Sequence, residues 1–244
     1  MTNAPPITAT ETASVDDGLS TSLAYQSALA GLVSASGRFV PVPFVDDVIR
    51  QRCRKFVVSR ALPSSQSDTQ FDRLRPLYGD DHGWLAGCSG LLVRAPLKLL
   101  LFPIRKIIAI TTSVRGVPLE VMRCVLLGRT VQRLAGSQTI SREKAKYIRI
   151  AFDQTMRRMD FRALRAGLRD TLGGISRWKE SSINIARRVA KSSQPMRDEL
   201  DPDDPVQNGA REMTRVFQQP ETLRLFDEFD RRFDENLKRL TAGK

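Results

Sequence analysis

Apolar side chains recur along most of this chain at the three- and four-residue spacing of helices that bury one face. The pattern is sharpest over 44–62. Pro43 stands where a proline at the first helical position loses no hydrogen bond, and behind it Phe44, Val45, Val48, Ile49, Cys53, Phe56 and Val57 share a face. Asp46 and Asp47 at the start and Arg54, Lys55 and Arg60 towards the end both oppose the helix dipole. The spacing predicts one helix that buries Phe44, Val48, Ile49 and Phe56. Upstream, 19–36 carries no charge and is rich in Ala, Ser and Gly, which suits a helix packed closely against a neighbour.

Downstream the pattern is interrupted. Residues 63–83 are polar with Ser, Pro and Gly, and predict a surface connection. Residues 84–114 are the most apolar of the chain, but Pro96 and Pro103 predict a short helix to about 93 and a kinked or broken one from Pro96. Pro118 is placed to open a further helix over 119–134, with Val121, Met122, Val125 and Leu134 inward. Ser141 can cap a helix to about 159, with Ile148, Phe152, Thr155 and Met159 along one stripe. The stripe then rotates to Phe161, Leu164, Leu168 and Leu172, which a fresh start capped by Asp160 and a stop at Gly173 and Gly174 explain. A basic amphipathic helix follows over 178–191, with Trp178, Ile185 and Val189 inward.

The acids and prolines of 196–206 predict a linker, and after Pro220 the residues Phe226, Phe229, Phe233, Leu237 and Leu240 define a last amphipathic helix. No run alternates like strands joined by hairpin turns. The expected fold is therefore all-α: an irregular helical bundle with a flexible N-terminal tail and a tethered C-terminal amphipathic helix. The expected boundaries are a disordered tail over 1–18, a basic helical domain over 19–194, an acidic, proline-containing linker over 195–220 and the tethered helix over 221–244.

Charge changes the picture more than composition does. The net charge is +12, but it is concentrated. Residues 1–82 hold 8 Lys/Arg against 9 Asp/Glu, residues 83–197 hold 23 against 6, and residues 198–244 hold 8 against 12. Arginine outnumbers lysine 30 to 9, a skew that a GC-rich genome produces unaided, yet codon bias does not make acids scarce in one block only. Such a block attracts a polyanion: an anionic lipid surface, a nucleic acid or an acidic partner.

The chemistry of catalysis is thin. His82 is the only histidine, no G-x-S-x-G surrounds a serine, and no phosphate-binding glycine loop is present. Asp80, Asp81 and His82 are consecutive turn residues, a poor metal cage. Cys53, Cys88 and Cys124 are too far apart for a zinc or redox motif, and three scattered cysteines fit core thiols in a reducing cytosol. The N-terminus has neither the cationic start nor the apolar core of a secretory leader. No enzyme, no cofactor and no metal are expected.

Three surfaces remain as candidates. Arg94, Lys98 and Arg105 fall within about 40° of one another on a helical wheel. With Lys106 they can meet lipid headgroups, while Leu97, Leu101 and Ile108 supply an apolar anchor. A core helix with a basic edge is the plainer alternative, and an inserted hairpin the costlier one, because four cations lie between 94 and 106. The second surface is the ladder Arg158, Arg162, Arg165 and Arg169, which fall on one face within about 60° at helical spacing and could track phosphates of nucleic acid or lipid. The third is the stripe Phe226, Phe229, Phe233 and Leu237, which is too apolar to remain in water. It predicts docking on a basic part of the same chain, or pairing with a protein partner or a second copy.

The stretches RFVPVPFVDDVIRQRCRK and FPIRKIIAITTSVRGVPLEVMRCVLLGRTV resemble bacterial proteins that carry a P-x-P-F-V-D-D segment before a basic helix. The resemblance implies a bacterial cytoplasmic or membrane-peripheral protein, and brings no catalytic residue with it. The combined expectation is a cytoplasmic, non-enzymatic helical protein, peripheral on the inner face of the membrane through an anionic lipid surface. A nucleic-acid binder and a protein adaptor are the alternatives.

Overall fold

The computed structural model describes residues 20–42, 45–63, 67–79, 102–136, 139–192 and 202–242, with the backbone alone at 67–69 and 102–115. These residues form ten α-helices, one 3-10 turn and no strand, which is the all-α bundle that the periodicity predicts. The expected tail at 1–18, the side chain of Phe44 and the expected helix before Val93 lie outside the described residues.

Helix α1 (Thr21–Ser36) is the axis of the bundle. Ser20 caps it by accepting the Leu23 N–H at 3.2 Å, and from Leu23 onward it is buried nearly all round. Its small residues permit this. A Cβ added at Gly31 would sit 2.5 Å from the Cα of Val121, so the neighbouring backbone occupies the space a side chain would need. That neighbour is α5 (Phe102–Ala135), and α1 is further flanked by α2 (Val45–Ala61) and by two later helices that begin at Trp178 and Asp204.

Helix α2 buries Ile49, Cys53, Phe56 and Val57 as its spacing predicts, but Val48 is 38% exposed. The buried face also takes in Arg54, which is 5% exposed. Past Pro63, the expected surface connection contains two short helices, α3 (Ser67–Arg73) and α4 (Arg75–Tyr78). Phe71, Leu74, Leu77 and Tyr78 recur at helical spacing there and are buried, with the Phe71 and Tyr78 rings stacked at 5.0 Å. Polar composition had masked that stripe.

Helix α5 corrects a second expectation. It runs unbroken for 34 residues with Pro118 inside it. An interior proline costs a helix about 3 kcal/mol. Here Val117, Val121, Met122, Cys124, Val125 and Leu126 are all fully buried around it, and packing of that extent outweighs one lost hydrogen bond.

Ser141 caps α6 (Arg142–Arg158) through the Lys144 N–H at 3.1 Å, and Ile148, Phe152 and Thr155 are buried. α7 (Arg162–Gly173) follows, with Leu164, Leu168 and Leu172 inward. The residue at its N-cap is Phe161, while the Asp160 carboxylate accepts the Arg162 N–H at 3.0 Å. α8 (Trp178–Lys191) buries Trp178, Ile185 and Val189, and Arg52 of α2 donates to the Val189 and Ser192 carbonyls at its C-terminus.

The expected linker over 195–220 is only partly one. Residues 204–217 form α9 (Asp204–Phe217), which packs on α1 and buries Val206, Ala210, Met213 and Phe217. Those four sit at offsets of 4, 7 and 11, a helical stripe that the preceding acids and prolines obscured. α10 (Pro220–Ala242) closes the chain. It is not held by a loose tether, because it lies along α6 of its own chain with Phe226, Phe229 and Phe233 fully buried.

Candidate functional site

The docking of α10 is built from two layers. The apolar layer brings Phe229 edge-on to Phe152 at 5.5 Å, with Phe226 against Phe217 at 5.9 Å. Beside it, Arg129 donates through Nε to Asp230 at 2.8 Å and through Nη2 to Asp227 at 2.9 Å. Arg133 grips Asp234 with both terminal nitrogens at 2.7 and 2.9 Å. The same guanidinium groups lie over the rings of Phe226 and Phe233, at 5.9 and 5.7 Å from the centroids. Asn236 donates to the Thr155 hydroxyl at 2.8 Å. Fork-shaped Arg–carboxylate pairs fix orientation as well as supplying attraction, so the seam holds α10 in one register.

The stripe Phe226, Phe229, Phe233 and Leu237 is thus spent within the chain, Leu237 packing at its edge. The basic landing site expected for the acids of this helix is Arg129 and Arg133. Glu228 and Glu235 do not take part. They pair with Arg231 along their own helix, and hydrogen bonds from Arg231 and Arg232 pull Glu228 down to about 2.

The arginine ladder is not one row. α6 ends at Arg158, Met159 turns to extended backbone, and Arg162 begins α7. The restart expected near Asp160 is there, and it separates Arg158 from Arg162, Arg165 and Arg169, so the four do not share one helix face. Arg162 moreover wraps the Asp160 carboxylate with contacts of 2.6 and 3.0 Å, which holds Asp160 down at about 2. Arg169 stands 3.9 Å from Asp170.

Of the expected lipid-contact residues, Arg94, Leu97, Lys98 and Leu101 lie outside the described residues. Arg105, Lys106 and Ile108 fall in the first two turns of α5, on the helix that continues into the core. His82 also lies outside the described residues.

A cluster that sequence reasoning missed lies where α2 meets α5. Glu120 is only 7% exposed, and its Oε1 accepts the Ser34 hydroxyl at 2.9 Å. The same oxygen lies 3.7 Å from Arg54 and 3.7 Å from Arg50. Burial pushes the Glu120 carboxyl up, but Arg54, Arg50 and Arg123, with the Ser34 hydroxyl, outweigh it and hold it below the usual glutamate range. Two buried thiols adjoin this charge. Burial, and after it the field of Glu120, pushes Cys124 up to about 12, and Cys53 is likewise raised by burial first. Both are therefore protonated, inert core thiols.

Next to this cluster a cleft opens between α2, α4, α5 and α6. Leu77, Leu127, Ile148 and Phe152 form its apolar walls, and Arg54, Arg123, Arg149 and Asp153 supply its charge. Arg149 donates to Asp153 at 2.7 Å and to the Leu77 carbonyl at 2.8 Å. Arg54 Nε and Arg123 Nε are buried with no hydrogen-bond acceptor.

Two signals of the cluster were readable. Arg54 sits inside the apolar stripe between Cys53 and Val57, and Glu120 is the sole acid between His82 and Glu143, amid Val117, Val121 and Met122. Among the described residues, no group of His, Cys, Asp or Glu could hold a metal ion, and no helix is long and apolar enough to cross a membrane. Compared with family models, with curated proteins and with solved structures, the chain matches none.

Proposed function

We propose that this chain is a non-enzymatic helical protein that associates peripherally with an anionic membrane surface, on the cytoplasmic face. Arg94, Lys98, Arg105 and Lys106 meet headgroups, and Leu97, Leu101 and Ile108 anchor in the acyl boundary. The observation that carries this reading is the continuity of α5. A single helix joins the acid-free, apolar stretch to the buried centre of the bundle, so surface contact at one end is mechanically tied to the fold at the other.

Two facts support it. From His82 to Leu119 the sequence holds no Asp or Glu but five cations, so those cations have no acid of their own segment to pair with. Among the described residues, the exposed large apolar side chains are Val42, Val48, Ile150 and Leu223, too dispersed along the chain to suggest one anchoring patch.

The magnitudes agree with a reversible attachment. Each cation near an anionic surface contributes about 1 kcal/mol, so four contribute about 4 kcal/mol, a millimolar affinity by themselves. An anchor of Leu and Ile adds roughly 1.5–3 kcal/mol per fully buried side chain, which brings the total into a useful range. Fractionation of a lysate tests the reading. The protein should sediment with membranes, leave them in high salt and ignore nuclease. Release by nuclease, or recovery in the supernatant at low salt, would contradict it and favour nucleic acid or a soluble partner.

A further inference from the structure

We infer that the outward face of α6 is a second contact with the anionic lipid surface, made by Arg142, Lys146 and Arg157. The inference rests on the membrane reading and extends it from residues 94–108 to the bundle itself.

α6 buries Ala145, Ile148, Ala151, Phe152, Thr155 and Met156 on one side, and α4 and α10 pack against this helix. Arg142, Lys146 and Arg157 are exposed. Helix geometry puts the three within about 60° of one another, roughly 140° round the axis from the middle of the buried side. Along the axis, Arg142 and Arg157 stand about 22 Å apart. The three cations thus form a straight ridge on one element whose other side is fixed in the core.

The fold does not use this charge. Among the described residues, no carboxylate lies within 4 Å of the three side chains, and no hydrogen bond holds them. Two acids share the outward side, Glu143 and Asp153, and Asp153 is taken by Arg149 at 2.7 Å. Four cations therefore stand there against two acids. Other exposed arginines are treated differently. Arg162, Arg215 and Arg231 each hold an acid within 2.7 Å, which leaves them little reason to seek one outside the chain.

The ridge also carries Ile150, 43% exposed, which lies between Lys146 and Arg157 along the axis and about 20° beyond Arg157 around it. An isoleucine among cations suits the boundary of headgroups and acyl chains, where the charges and the apolar side chain are both satisfied. Against a nucleic-acid backbone the same side chain would face phosphates and gain nothing. One apolar side chain is also too little for the apolar centre of a protein interface. Lipid is the occupant that uses every exposed group on the ridge.

Partition of the full chain into phosphatidylcholine vesicles containing phosphatidylglycerol tests this. Arg142→Gln, Lys146→Gln and Arg157→Gln together should weaken partition by about tenfold or more, with circular dichroism and thermal unfolding unchanged. A control removes the same charge from exposed positions of α9 and α10, as Arg211→Gln, Arg224→Gln and Lys238→Gln, and should weaken partition by less than about threefold. Equal weakening by the two triples would reduce the ridge to net charge and overturn the inference. In Ile150→Trp, brominated lipid should quench emission beyond that of the unsubstituted chain, and in Leu223→Trp it should not; no added quenching at position 150 would count equally against the contact. A ridge triple that partitions like the unsubstituted chain overturns this inference alone and leaves the α5 contact standing. Failure of the unsubstituted chain to partition removes both. Ridge-dependent binding of a duplex oligonucleotide, with vesicle partition unaltered by the triple, would give the face to nucleic acid instead.

Discussion

Helix α5 carries arginines at both ends, and the two ends are treated in opposite ways. At the C-terminal end, Arg129 and Arg133 meet Asp227, Asp230 and Asp234 from α10, each within 2.9 Å of an arginine nitrogen. At the other end, Arg105 and Lys106 lie in a segment where no acid occurs between Asp81 and Glu120. One end has its counter-charges in the same chain, and the other has none in its own stretch of sequence. Under the function proposed above, the anionic surface supplies them. A count of Lys and Arg along the sequence does not distinguish the charge that organises the fold at Arg129 and Arg133 from the rest.

The paired end should break hardest at its apolar layer. Phe229→Ala, at a fully buried ring between Phe152 and Phe233, is expected to cost about 3–5 kcal/mol in denaturant unfolding. A cost below about 1 kcal/mol would mean that α10 is a loose appendage. Removing one partner of the ion pairs comes next. Arg129→Ala leaves Asp230, 8% exposed, without its closest counter-charge and should cost about 3 kcal/mol, much of it recovered in Arg129→Met with Asp230→Leu. Without recovery in the double variant, the pair does more than neutralise charge.

Acid should act on the middle of α5. The folded Glu120 carboxyl lies below the unfolded value of about 4.3, so its contribution is complete above that pH and is lost as pH falls through the lower folded value. Unfolding followed from pH 6 downward should show a loss of stability that Glu120→Gln flattens; an identical pH profile in the variant would dismiss Glu120 as the source. The smallest effect is expected at Val48. Val48→Ser should change stability by less than about 0.5 kcal/mol and leave vesicle binding unaltered, whereas lost binding would move the contact surface onto the bundle.

Much of this fold was legible. The face of α2 through Ile49, Cys53 and Phe56, the Ser141 cap, the limits of α8 and the phenylalanine stripe of α10 all follow from spacing and capping chemistry. These are local rules, and they hold where packing agrees with them. Pro118 shows where packing prevails, since proline is a reliable stop only when little is gained by continuing. α9 and the α3–α4 pair were hidden because acids, serines and prolines dominate a composition that still contains a helical stripe. The buried arginine cluster was barely legible at all. Arg54, Arg123 and Arg149 are 95 residues apart from first to last, and only the crossing of α2, α5 and α6 brings them together.

Flotation of the purified protein with lipid vesicles tests the central claim most directly. The protein should rise with vesicles containing anionic lipid and stay behind with neutral ones, and Lys98→Glu, Arg105→Glu and Lys106→Glu together should abolish flotation while the helical circular-dichroism signal remains. Flotation that ignores vesicle charge, or survives the triple substitution, would contradict the claim and leave residues 84–114 without the role proposed for them.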